Sequence, residues 1–154
     1  MASLIDFAST NWSYYTIPAA FVLCMVPHAY AIKLAGKNYD LGNPRKTEEH
    51  CAKDTTLDKM NLRRISRAKA ASANGFETIG LYAAAVVAGN VAGVATERIN
   101  KLTAAYIASR ILYIYVYVAL QDNARLAALR PFVWLGGITT LMSLFVAAGN
   151  ALNN

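Results

Sequence analysis

Arg67, Asn74 and Glu77 recur at spacings of seven and three residues. At 100° per residue they fall, with Ala70, inside a stripe of about 80° on one helix. A guanidinium, a carboxamide and a carboxylate on one face can orient a polar ligand. The same three groups can also form a hydrogen-bond network between helices, and the pattern alone leaves both open. A second set lies downstream: Tyr106, Arg110, Tyr113 and Tyr117, at spacings of four, three and four. Arg110 can pair with Glu77 across helices, yet three phenols and a guanidinium are more than one ion pair needs. The third element is Arg130, just before Pro131, for which the alternative is an interfacial arginine whose head reaches water. Together these residues make a basic, hydrogen-bonding pocket suited to an anionic ligand. Its apolar flanks admit a second, lipophilic molecule. No metal is expected among these groups.

The elements that carry them are unusual for a chain of 154 residues. The composition is 56% hydrophobic and only 16% charged, where a soluble domain carries about a quarter charged residues. Residues 7–32, 78–96 and 131–154 hold no Asp, Glu, Lys or Arg, and 102–121 hold only Arg110. A membrane-crossing helix needs about 20 mostly apolar residues. The sequence therefore predicts an all-α, integral membrane four-helix bundle forming one domain over 1–154. Its spans are expected at approximately 12–34, 74–95, 98–120 and 131–151. A polar loop at 35–60 separates the first two. The second helix is expected to begin near Thr56, so that its first turns extend into the cytoplasm. This patterning excludes a soluble globular, disordered or disulfide-rich secreted protein. Cys24 falls inside a span and Cys51 in the loop, which makes no disulfide framework.

The net charge of +6 has a distribution that argues against nucleic acid. Ten of the 15 basic residues lie between Lys33 and Lys69, mixed with five acids. Short cytoplasmic connections collect Lys and Arg, so the first loop is read as cytoplasmic and the N-terminus as lumenal.

Two stretches resemble the MAPEG family, the membrane-associated proteins of eicosanoid and glutathione metabolism. One is Arg64-Ile-Ser-Arg67-Ala-Lys-Ala-Ala-Ser-Ala-Asn74-Gly-Phe-Glu77-Thr-Ile, similar to that family's second-helix signature. The other runs from Ala108-Ser-Arg110-Ile-Leu-Tyr113-Ile-Tyr-Val-Tyr117 to Leu129-Arg130-Pro131-Phe-Val-Trp134. The resemblance covers residues 12–150. It implies a homotrimer in the endoplasmic reticulum or another internal membrane, with glutathione as co-substrate at the cytoplasmic side. The ligand would lie between helix two of one subunit and helices three and four of its neighbour. Arg130 is then the thiolate-stabilising residue, and Arg67, Asn74, Glu77, Arg110, Tyr113 and Tyr117 bind the ligand. Only the thiolate is a strong nucleophile, a free thiol titrates near about 8.5, and a guanidinium that keeps its proton favours the charged form. The implied function is a membrane-bound glutathione-dependent transferase or peroxidase acting on lipophilic electrophiles or lipid hydroperoxides. Some catalytic members carry further arginines where this chain has Ala70 and Ala73. A non-catalytic lipid-binding or scaffold protein on the same fold is therefore the alternative. A third reading is a small proton-coupled transporter using Glu77.

Overall fold

A computed structural model describes residues 6–153; residues 1–5 and 154 of the single expected domain lie outside the described residues. Among the described residues the chain is helical, with no strand. The elements are α1 (Thr16–Ala35), α2 (Thr47–Lys53), α3 (Lys59–Val91), α4 (Thr96–Tyr115), α5 (Ala124–Ala127) and α6 (Leu129–Leu152). Short 3-10 turns precede α1 and flank the polar loop, and α4 runs on into a π-helical segment, Val116–Leu120.

Three regions are long and apolar enough to cross a membrane: Ser13–Asn38, Thr96–Leu120 and Arg125–Leu152. Four spans were expected, and α3 is the difference. It has 33 residues, but Asn74, Glu77 and Asn90 lower the hydropathy of its apolar portion from residue 74 on. It packs mainly against α1 and α6.

Small residues set the α1–α3 contact. The buried positions of α1 are Thr16, Ala20, Cys24, Pro27, Ala31 and Ala35, which repeat every three or four residues. They meet Ala68, Ala71, Ser72 and Gly75 of α3, where small side chains permit close approach. A Cβ on Gly75 would stand 2.7 Å from Cys24 Sγ and 3.4 Å from Cys24 Cα. Pro27 removes one backbone donor inside α1. Ser72 Oγ donates to the neighbouring Cys24 carbonyl at 2.8 Å. Tyr82 and Tyr106 stack in the core with centroids 3.9 Å apart and planes 11° apart.

The loop expected over 35–60 is more ordered than its polarity suggests. It contains α2, which buries Thr47 and Cys51. Cys51 joins a cluster with Ile65 and Ala68 of α3, and this docking holds a helix too short to persist alone. Both cysteines are free. α3 begins at Lys59 rather than near Thr56, because residues 54–57 turn, with the Leu57 N–H donating to the Asp54 carbonyl at 3.2 Å. α6 begins at Leu129, so Pro131 falls in its first turn, where the missing donor costs nothing.

Candidate functional site

The end of the helix array where α3 and α6 begin and the π segment ends brings four of the expected residues together. Asn74, Tyr113, Tyr117 and Arg130 line one cavity of about 270 Å³, with Pro131 and Trp134. Arg130 Cζ lies 4.8 Å from the centre of the Tyr117 ring. Tyr117 and Tyr113 are in contact, with centroids 5.6 Å apart at 60°. Asn74 Nδ2 donates to the Ala70 carbonyl at 3.3 Å. A cation held against a phenol ring, beside a carboxamide and a second phenol, suits an anion whose remaining polar groups need hydrogen bonds.

Three other residues sit differently. Arg110 is 5% exposed and lies behind Tyr113, away from this cavity. Its guanidinium carbon is 5.3 Å from the Tyr106 ring centre and 5.2 Å from that of Tyr113. All three guanidinium nitrogens are buried without a hydrogen-bond partner among the described residues. The guanidinium is therefore compensated by aromatic faces, each such contact contributing about 2 kcal/mol when desolvated. It borders a void of about 10 Å³, room for one water. α6 passes so close that a Cβ on Gly137 would stand 2.0 Å from Arg110 Nη2. Among the described residues, Arg110 makes no ion pair with Glu77, which is exposed on α3.

Arg67 is engaged elsewhere as well. Its Nη2 donates to Asp122 Oδ1 at 2.6 Å, and Arg64 Nε lies 3.6 Å from Asp122 Oδ2. The hydrogen bond from Arg67 holds the Asp122 carboxyl below the usual carboxylate range. The expected single basic pocket is thus two adjoining regions, one around Arg130 and one around Arg67.

Trp134, read in the sequence only as part of a motif, and Asp122 were not among the expected site residues. Trp134 lies four residues after Arg130, one helical turn away, so periodicity held a signal for it. Asp122 meets α3 across 55 residues of chain, which no local pattern reveals. Tyr115, on the same helix as the cavity tyrosines, is 57% exposed and takes no part. Among the described residues no group of three or more His, Cys, Asp or Glu gathers in a way that would hold a metal ion.

A family model described as MAPEG family matches residues 14–150, nearly the whole chain. The chain belongs to the MAPEG family. No curated protein and no solved structure matches it. With its three apolar helices, this makes it an integral membrane protein in contact with lipid. Members of the MAPEG family use glutathione, and membership points at family level to glutathione-related transferase or peroxidase chemistry or to eicosanoid metabolism.

Proposed function

We propose that the protein is a membrane-bound glutathione-dependent transferase or peroxidase acting on lipophilic electrophiles or lipid hydroperoxides. The observation that carries this reading is Arg130 over the Tyr117 ring in one cavity with Asn74 and Tyr113. Four spans are proposed, α3 being the fourth, with its charged first turns in the cytoplasm and the N-terminus in the lumen of the endoplasmic reticulum or another internal membrane. A homotrimer is proposed to complete the cleft, giving the exposed Glu77 a ligand or a partner subunit to face.

Arg130 would stabilise the glutathione thiolate, while Asn74, Tyr113 and Tyr117 orient the tripeptide and Glu77 and Arg67 meet its charged ends. Arg110 supports the site from behind Tyr113. In conjugation, the thiolate sulfur bonds to an electrophilic carbon, whose leaving group departs with the electron pair. In peroxide reduction, the sulfur attacks the O–O bond. A second glutathione then completes the disulfide, and an alcohol and water are released. Both routes need the same thiolate, and guanidinium stabilisation of developing charge is worth most where water is excluded.

The test is a glutathione titration of the detergent-solubilised protein supplied with lipid. Wild type is expected to bind in the millimolar range or tighter. Arg130→Ala is expected to lose roughly tenfold or more in affinity, about 1.4 kcal/mol, with its thermal midpoint unchanged. Absence of binding by the wild type would overturn the proposal.

One feature favours the non-catalytic lipid-binding alternative. A cavity of about 450 Å³ lies between α1 and α4, with Val26, Pro27, Ile111, Ile114 and Val118 in its wall and Arg64 at its edge. Retention of a co-purified lipid by a protein that ignores glutathione would establish that reading.

A further inference from the structure

We infer that Asp122 sets the affinity of this chain for glutathione by occupying Arg67 in the place of a ligand carboxylate. The inference rests on the glutathione reading and deepens it. Asp122 stands in the turn between the π segment and α5. Its two oxygens face two guanidinia of α3, Arg67 at 2.6 Å and Arg64 at 3.6 Å. Arg64 and Arg67 are three residues apart and therefore neighbours on one helix face. The Arg67 side chain is only 14% exposed, so its fork is committed rather than fluctuating in solvent.

A second cavity of about 320 Å³ opens beside this pair. Arg63, Ser66, Arg67, Gln121 and Asp122 line it. Guanidinium, hydroxyl and carboxamide groups are what a carboxylate needs, and a carboxylate of the chain itself is already present. The distance fits the ligand. Arg67 precedes Asn74 by seven residues, about 10 Å along a helix. A tripeptide extended at about 3.3–3.6 Å per residue spans the same length. With one end and the central thiol in the Arg130 cavity beside Asn74, the extended ligand can lay the carboxylate of its other end at Arg67.

Binding there is an exchange. One carboxylate leaves Arg67 and another arrives, so the number of ion pairs does not change and Arg67 adds little net affinity. The Asp122 carboxyl is held below the usual range, chiefly by the Arg67 hydrogen bond. It therefore stays ionised throughout the neutral range and competes continuously. A ligand with two carboxylates, such as glutathione, has the better prospect of displacing it. A ligand with none gains nothing from Arg67.

The test is the same titration on the full chain in detergent, with wild type, Asp122→Asn and Asp122→Ser, each checked for an unchanged elution profile. A purely structural ion pair would lower the thermal midpoint on removal and leave affinity level or weaker. The inference instead expects both variants to bind glutathione roughly threefold or more tightly than wild type. It further expects Arg67→Gln to cost more affinity in the Asp122→Asn background than in the wild type, the signature of coupling between the two positions. Equal or weaker binding by both Asp122 variants, or strictly additive effects of the 67 and 122 substitutions, would overturn the inference and leave the glutathione reading standing. No binding by wild type or by either variant would overturn both.

Discussion

The two ends of the helix array follow different rules. At the end that carries the N-terminal segment, buried polar groups are paired. Asn100 is fully buried; it donates to the carbonyls of Phe7 at 2.9 Å and Thr10 at 2.8 Å, and accepts from the Trp12 N–H at 3.2 Å. Asn90 donates to Ser13 Oγ and to the Val86 carbonyl. Thr16 and Tyr82 share a hydrogen bond of 2.5 Å. Toward the opposite end, among the described residues, Arg110 has no hydrogen-bond partner, Arg64 Nε is buried without one within hydrogen-bond distance, and two polar cavities open. A satisfied network specifies packing, whereas buried donors left over beside cavities keep the capacity to hold something else. On the proposed reading, stability and binding thus fall to opposite ends of the same four long helices.

The largest effect is expected from Asn100→Leu. It removes the partner of two carbonyls and one N–H at a half-buried site, at a cost of about 2 kcal/mol. The apparent thermal midpoint in detergent should fall steeply while glutathione affinity of the folded fraction is retained. A midpoint equal to wild type would mean that the network is ornamental. The next effect in size is expected from Gly137→Ala. The added Cβ would overlap Arg110 Nη2, and the resulting overpacking costs about 2 kcal/mol. Because Arg110 backs Tyr113, this substitution should also weaken glutathione binding, which Asn100→Leu should not. If Gly137→Ala changed neither quantity, α6 could not be pressing Arg110 into place.

A change of pH should act on one end alone. Asp54 lies at the ligand end and accepts from Thr56 Oγ1 at 2.6 Å, from Asn38 Nδ2 at 2.9 Å and from the Thr56 N–H at 2.9 Å, with Lys37 at 3.4 Å. The Thr56 hydroxyl first, then Asn38, hold its carboxyl far below the ordinary aspartate range. A depressed folded-state value means that the contribution is fully present above the unfolded value of about 3.9 and is lost as pH falls below it. Amide protection factors over residues 36–58, taken relative to the intrinsic exchange rate at each pH, should therefore fall as pH drops below about 4, while the Asn100 network, built from uncharged groups, should keep its protection. Equal loss of protection at both ends would remove the distinction.

Part of this arrangement was legible in the sequence. Tyr106, Arg110 and Tyr113 are one buried face of α4, because a 3.6-residue period translates directly into a shared face. Asn74 and Arg130 reach one cavity for a related reason, each lying where its helix passes the same end. Other features carry no local signature. Asp122 takes Arg67 across 55 residues, so the stripe at 67, 74 and 77 could not show that its first member was engaged. α2 exists because Cys51 finds a wall on α3, and polarity alone reads as an open loop. The lower hydropathy of α3 reflects its polar residues, of which Asn74 and Glu77 were the ones singled out for chemistry.

Tyr117 stands on the π segment, where backbone hydrogen bonds skip one residue further than in an α-helix. Such a segment tolerates changes in chain length that the flanking α turns do not. Deleting one residue between Val116 and Leu120 would restore α geometry, and Tyr117 or whatever replaced it would swing by about 100°. The ring under Arg130 would then rotate out of the cavity with every helix still in place. Single-residue indels, rather than substitutions, are a route by which descendants of this chain could trade one ligand for another.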